Sequence, residues 1–204
     1  MSAELYGLAI GLAAGSLPFA WLVHRMATGR DLRREGSGNP GTTNVMRSAG
    51  AKWAAASLAL DAGKGAAAVL VATRLAGESA CVPAAIGSVV GHVFTPWLSG
   101  RGGRGVATAA GAFTVIAPAA TAAAFVVFAL VVAVTRYVSL ASVLAAAALP
   151  VALAVLGQGA RPATTAAAIA ALVAWRHREN FARMRAGTEP RVGRGTTRGK
   201  DASE

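Results

Sequence analysis

VATAAGAFTVIAPAATAAAFVVFALVVAV, residues 106–134, is the stretch on which the fold turns. It holds no charged residue. It exceeds the roughly 20 apolar residues that cross a hydrocarbon core of about 30 Å. Pro118 lies inside it. Proline lacks an N–H and disfavours helix at the residue before it. The run is therefore read as two short spans, 106–117 and 119–134. That choice sets whether the whole chain crosses a bilayer an odd or an even number of times.

Working outward, further apolar runs cover 5–26, 53–76, 80–98, 138–156 and 163–175. With the divided run they predict an all-α integral membrane protein of seven transmembrane helices. Composition agrees: 54% of the 204 residues are hydrophobic and 14% charged, with mean hydropathy +0.50. A soluble domain carries about 25% charged residues. A soluble alanine-rich bundle would need polar faces that these runs lack. Only Glu4 is charged ahead of the first run, so it reads as a retained helix rather than a signal peptide.

The formal net charge of +11 does not imply nucleic acid, because the cations sit between spans and in the tail. With seven crossings, one side receives Arg25, Arg30, Arg33, Arg34, Arg47, Lys52, Arg101, Arg104, Arg136 and the tail. The other receives Arg74 and Arg161. Cations near span ends favour the cytoplasm, which predicts the N-terminus outside and the C-terminus cytoplasmic. Six crossings would scatter the same charges. Residues 1–187 are expected to form the membrane domain and 188–204 a basic, disordered cytoplasmic tail. The single cysteine, Cys81, excludes an internal disulfide. No HExxH or second histidine at zinc spacing occurs, so neither metal nor cofactor is expected.

Three segments on the cationic side are unlike plain connectors. GSGNPGTTNVMR, 36–47, combines turn-forming glycines and Pro40 with the donors Ser37, Asn39, Thr42, Thr43 and Asn44 and the charged fork of Arg47. An anion-binding nest and a polar turn capped by Asn44 or a threonine explain it equally well. GHVFTPWLSGRGGRGVAT, 91–108, runs from glycines and arginines straight into a helix. Free N–H groups at a helix start favour an anion, and this reading outweighs that of a merely basic loop. His92 by itself reads as a packed histidine. WRHRENFARMRAGTE, 175–189, reads as an interfacial helix; lipid accounts for its arginines but not for His177, Glu179 and Asn180. Asp61 and Lys64 are three apart within a span and share a face; a structural pair and a functional one are equally open. Ser139 and Ser142 open the sixth span, where capping or helix packing explains them.

The motifs GSGNPGTTNVMRSAG (36–50), DAGKG (61–65), GHVFTPWLSGRGGRGVAT (91–108), TRYVSLAS (135–142) and HRENFARMRAGTE (177–189), in this order, resemble the PlsY family of bacterial glycerol-3-phosphate acyltransferases. The resemblance covers nearly the whole chain except its last dozen residues. It implies a seven-helix enzyme of the bacterial cytoplasmic membrane that converts acyl phosphate and glycerol 3-phosphate into lysophosphatidic acid and phosphate. It implies catalytic roles for Ser37, Arg47, His177 and Asn180. It implies substrate or phosphate binding by Gly38, Asn39, Thr43, Asn44, Gly102, Gly103, Arg104, Gly105 and Ser142. Partners would be the two substrates and membrane lipids, with no nucleic acid; the sequence names no oligomeric state and is compatible with a monomer. The family usually has lysine where Arg101 and Arg104 stand and commonly alanine at Thr42. Arginine keeps the charge but presents it as a planar fork.

An activated acyl donor needs no covalent enzyme intermediate. Positioning and charge stabilisation suffice. The expected route is direct attack by the glycerol 3-phosphate hydroxyl, with Arg104 and the glycine loop on one phosphate, Ser37 and Arg47 on the other phosphate or the oxyanion, and His177 and Asn180 orienting the hydroxyl. A transporter for a small anionic solute is the rival reading. It would show polar or broken spans and an internal repeat, of which Asp61, Lys64 and Pro118 are the only hints. An anchor for anionic lipid would leave the glycine loops without purpose.

Overall fold

The computed structural model describes residues 2–193. Ten α-helices and three short 3₁₀ turns account for its secondary structure, with no strand among the described residues. The order is α1 (Ala3–Ser16), α2 (Phe19–Thr28), α3 (Thr42–Ala49), α4 (Ala51–Ala76), α5 (Cys81–Val93), α6 (Val106–Ile116), α7 (Pro118–Thr135), α8 (Val138–Val155), α9 (Ala160–Arg176) and α10 (Arg178–Arg185). Pro118 opens α7 after Ala117 leaves helical geometry, so the long apolar run is divided where the sequence predicts.

Five segments are long and apolar enough to cross a membrane: Ala3–Thr28, Ala51–Ala76, Glu78–Leu98, Pro118–Thr135 and Val138–Val155. Helix α6 has 11 residues and α9 has 17. At 1.5 Å per residue α6 extends only about 17 Å.

The first segment differs from the single helix expected for 5–26. Leu17 is extended and Pro18 separates α1 from α2. The freed carbonyls find side-chain donors: Thr95 Oγ1 donates to Ser16 O, and Lys64 Nζ donates to Leu17 O at 2.6 Å. Proline breaks are tolerated in membrane helices when neighbours re-satisfy the backbone in this way.

Small residues hold the bundle together. Gly7, Gly11 and Gly15 form one ridge of α1, and a methyl group on any of them would overlap Ala80 O, Ala84 O or Ser88 O of the α5 side. Gly87 and Gly91 return the contact against α1, and Gly65 of α4 meets the backbone of α6 at Thr108. In lipid, packing rather than hydrophobicity drives helix association, and small residues let backbones approach. Helix α7 is the least enclosed: Phe125, Val126, Leu130 and Val134 are exposed, the face expected toward lipid.

The connecting loops segregate. Glu4 pairs with Arg161, and Gly7 abuts Ala80, so the N-terminus, the α4–α5 turn and the α8–α9 turn share one end. At the other end Arg176 reaches Gly102, Ser139 reaches Glu189, and the Val192 N–H donates to Arg136 O. The chain thus keeps packing past the expected boundary at 187, through Glu189 to Val192. The rest of the expected tail, 194–204, lies outside the described residues.

Candidate active site

The first loop is shaped by Asn44. Buried near the start of α3, it donates from Nδ2 to Leu32 O (3.2 Å) and Glu35 O (2.9 Å), and its Oδ1 accepts from the Ser37 N–H (3.1 Å). It caps no helix; the residue before α3 is Gly41. Its amide holds the loop's backbone instead. Gly36 and Gly38 take φ of +53° and +71°, and a methyl on Gly36 would overlap Asn44 Oδ1. Glycine makes that turn without strain. Ser37 is left exposed at its apex. Ahead of it Asp31 accepts from Trp21 Nε1 (2.9 Å) and grips Arg33 through Nε (3.1 Å) and a terminal guanidinium nitrogen (2.6 Å). The hydrogen bond from Arg33 holds the Asp31 carboxyl well below the usual range.

The second loop wraps the end of α5. The Gly102 N–H donates to Val93 O (3.0 Å), and Gly102 O accepts from a terminal guanidinium nitrogen of Arg176 (2.8 Å). Gly102 and Gly103 lie so close to His92 that a methyl on either would collide with it. Gly105, at φ +85°, opens α6 without a side-chain cap, so the first N–H groups of that helix stay available to a ligand. The loops meet directly: a methyl on Gly103 would stand 3.2 Å from Pro40 O of the first loop.

The third segment is two helices rather than one. His177 ends α9 and starts α10. Its Nδ1 lies 2.7 Å from Val173 O. A carbonyl only accepts, so Nδ1 carries the proton and Nε2 is the acceptor. Burial, reinforced by the Arg104 charge, pushes His177 down to about 4 despite the Val173 contact, so it is neutral at pH 7. Asn180 donates from Nδ2 to Glu189 Oε1 (2.6 Å), while its Oδ1 is buried without a hydrogen-bond partner among the described residues. Glu189 Oε1 also accepts from Ser139 Oγ (2.9 Å), and Oε2 accepts from Arg183 Nε (2.8 Å). Burial would raise the Glu189 carboxyl, but hydrogen bonds from Asn180, Ser139 and Arg183 hold it below its ordinary value.

Arg104 stands among these groups. Burial lowers it to about 10, Glu189 opposes that, and Arg183, Arg176 and Arg47 add to it. It remains protonated at neutral pH. Arg47, at the rim of α3, is lowered by partial burial and also feels Glu189 and Arg183. Among the described residues neither Arg47 nor Arg104 has an ion-pair partner within 4.0 Å. Arg104 thus feels three other guanidinium groups, Arg47, Arg176 and Arg183, and the Glu189 carboxylate. Such an excess of charge suits an anionic ligand.

The structure brings Arg47, Arg104, His177 and Asn180 into one neighbourhood. Ser37, Gly38 and Asn39 belong to the adjoining loop; Gly38 and Asn39 line an open cleft of about 490 Å³ with Arg101, Gly102, Arg176 and Arg178. Thr43 lies half-buried in the first turn of α3. Ser142 is buried in α8, and its hydroxyl proton goes to Val138 O (2.8 Å), leaving only acceptor capacity. Two partners escape sequence reasoning: Glu189, which orients Asn180, and Arg176, which pins Gly102. Their signal was position within a motif, not chemistry of spacing.

Fold and site together define a multi-pass membrane protein with a cationic polar centre at one end of its helices. A sequence model described as "Glycerol-3-phosphate acyltransferase" matches residues 5–187. A glycerol-3-phosphate acyltransferase of Cereibacter sphaeroides is 41% identical over 96% of this chain and 92% of its own length. Two crystal structures of PlsY, an integral membrane glycerol 3-phosphate acyltransferase, are similar in fold. The glycerol 3-phosphate form gives a TM-score of 0.88 at 34% identity, and the lysophosphatidic acid form 0.84 at 32%, each over 94% of this chain and 96% of that one. The chain belongs to the glycerol-3-phosphate acyltransferase family, as the motif resemblance implies, and is an acyltransferase of phospholipid synthesis.

Proposed function

We propose that the enzyme transfers an acyl chain from acyl phosphate to glycerol 3-phosphate, releasing lysophosphatidic acid and inorganic phosphate at the cytoplasmic face. The observation that carries this reading is the pair of cations, Arg47 and Arg104, with no ion-pair partner among the described residues, beside a neutral His177 and an Asn180 Oδ1 likewise without a partner among them. Both substrates are anions with a phosphate to seat. Glycerol 3-phosphate also carries a hydroxyl, and His177 Nε2 and Asn180 Oδ1 are two acceptors able to orient it. The hydroxyl oxygen attacks the acyl carbonyl, the carbon–oxygen bond to phosphate breaks, and phosphate leaves with the proton. A histidine held near 4 is a poor base at neutral pH, which supports proton transfer to substrate phosphate. Asn44 contributes by holding the Ser37 backbone through the Ser37 N–H, which leaves the exposed Ser37 hydroxyl for the oxyanion or the second phosphate. Gly102, Gly103 and Gly105 with Arg104 seat the other phosphate, with Asn39 and Thr43 alongside; Ser142, whose proton goes to Val138 O, can only accept from a substrate hydroxyl.

In this reading α6 and α9 complete seven crossings, with α6 the short one, and put the N-terminus outside. The gathering of the cationic loops at one end supports it. A C-terminal reporter that reads as external would overturn the topology. For the chemistry, purified protein in detergent is given acyl phosphate and glycerol 3-phosphate. Stoichiometric lysophosphatidic acid and phosphate are expected, whereas turnover with acyl-CoA alone would overturn the donor assignment.

A further inference from the structure

Asp61, Lys64 and His92 are buried inside the helical bundle, and the chemistry above uses none of them. Lys64 Nζ lies 2.9 Å from Asp61 Oδ1, and both side chains are 2% exposed. Its well-aligned hydrogen bond goes elsewhere, to Leu17 O at the Pro18 break. It also stands 5.7 Å from the Phe19 ring centroid. Asp61 Oδ1 faces His92 Nδ1 at 3.6 Å, a distance at which charge acts but a hydrogen bond does not.

Ionisable groups inside spans are costly and mark function by default. A pair that only joined α4 to the α1–α2 break would not need the histidine. The opposite edge of the His92 ring lies against the phosphate loop. A methyl on Gly103 would overlap His92 Nε2, and one on Gly102 would overlap His92 O. Between His92, Asp61, Thr95, Pro40 and these glycines the centre of a water molecule has only about 10 Å³ to occupy, room for no more than one water. The contacts therefore run from Leu17 through Lys64 and Asp61 to His92, then to Gly103 and on to Pro40 of the first loop.

We propose that His92, packed beside the intramembrane Asp61–Lys64 pair, is a positioning residue that sets where the Gly102–Gly103 backbone stands against the first loop. It would then govern the spacing of the two substrate-holding loops. This rests on the reading of the glycine loop as a phosphate seat. Close packing makes the position discrete: the ring edge acts as a stop for a backbone that has no side chain to cushion it. A displacement of about 1 Å in a positioning element can cost 10²-fold in rate.

A suppressor test reads this directly in the full-length protein in detergent. Gly103→Ala drives a methyl into His92 and is expected to raise KM for the phosphate substrates about tenfold or more. His92→Ala removes the stop and raises KM severalfold. The double variant gives the methyl the vacated space and is expected to recover most of the Gly103→Ala loss. His92→Gln, which retains a polar end near the Nε2 position, should keep KM nearer the parent than His92→Ala. Losses that simply add in the double variant, or effects on kcat and melting temperature with KM unchanged, overturn the proposal. Melting temperatures of the four proteins report the same steric coupling without substrate. A parent protein lacking turnover would thus count against the phosphate reading, while absent coupling in melting would count against the positioning role.

Discussion

Asn180 Nδ2 stands 2.6 Å from Glu189 Oε1, and this contact decides which way the amide faces. An ionised carboxylate only accepts, so the nitrogen must turn to Glu189 and the oxygen away from it. That oxygen is buried and unpartnered among the described residues. Glu189 therefore converts Asn180 from an ambiguous amide into an acceptor in a field of cations.

Asn180→Asp tests the relationship. It would set two carboxylates against each other where the first already receives Ser139 and Arg183. Two such groups resist ionising together and share a proton. Activity near pH 7.5 should fall by about tenfold or more, in the range that removing a charge-assisted contact produces. It should return in part toward pH 6, as the pair takes up its proton. A kcat/KM profile against pH, run beside the parent, checks this; a loss equal at every pH counts against it.

His177 predicts an acid-side loss of stability. Folding lowers its value from 6.5 to about 4. Between those values the unfolded chain binds a proton that the folded chain does not, so stability rises with pH. The resulting penalty is absent above about 6.5 and grows as pH falls toward 4, to the order of about 3 kcal/mol. Melting temperatures from pH 4.5 to 7.5 should drop toward acid in the parent and less steeply in His177→Gln. Equal slopes would sink the prediction.

The two prolines show what is legible in the sequence. Pro118 marks a break because its apolar run is too long for one crossing, so length and chemistry agree. Pro18 has the same chemistry, but its run suits a single crossing and nothing in its spacing betrays the kink. The ridge of Gly7, Gly11 and Gly15 is hidden in the same way, because among so many alanines glycine spacing alone does not say which helix it meets. The glycines beside Arg104 read as an anion site at a helix start, and His177 and Asn180 as residues that a lipid-facing helix does not require, whereas a polar turn explains Ser37 and Arg47 equally well and only the resemblance implies their roles. Glu189 was not, because its partner Ser139 lies 50 residues away in the chain.

Arg104 occupies a position where the resemblance leads one to expect lysine. If its work is to supply charge to a phosphate, Arg104→Lys keeps that and should hold kcat/KM within about tenfold. Arg104→Gln removes it and should cost about 10- to 150-fold, the equivalent of about 1.5–3 kcal/mol for a hydrogen bond to a charged group. The loss should fall on KM for whichever substrate Arg104 holds, so varying each substrate in turn identifies its phosphate. Equal losses in the two variants would mean that the planar fork, rather than the charge, is required.

Gly11 joins packing to chemistry. A side chain there would press on Ala84 O of α5, and the C-terminal end of α1 and the extended Leu17 after it carry the Ser16 and Leu17 carbonyls that receive Thr95 and Lys64. Gly11→Val therefore separates two helices that anchor the phosphate loop from below. Overpacking of this kind costs about 1–3 kcal/mol. The melting temperature should fall, and activity should fall with it even at temperatures where the protein stays folded, because the displaced α1 end carries the Lys64 contact. Val126→Ala on α7 is the control: that side chain is 55% exposed and remote from the α1–α5 seam. It should change stability by no more than about 0.5 kcal/mol, as exposed positions usually do, and leave turnover intact. Thermal unfolding in detergent with parallel assays decides the matter. A Gly11→Val protein as stable as the parent would mean that α1 and α5 do not meet through their glycine ridge.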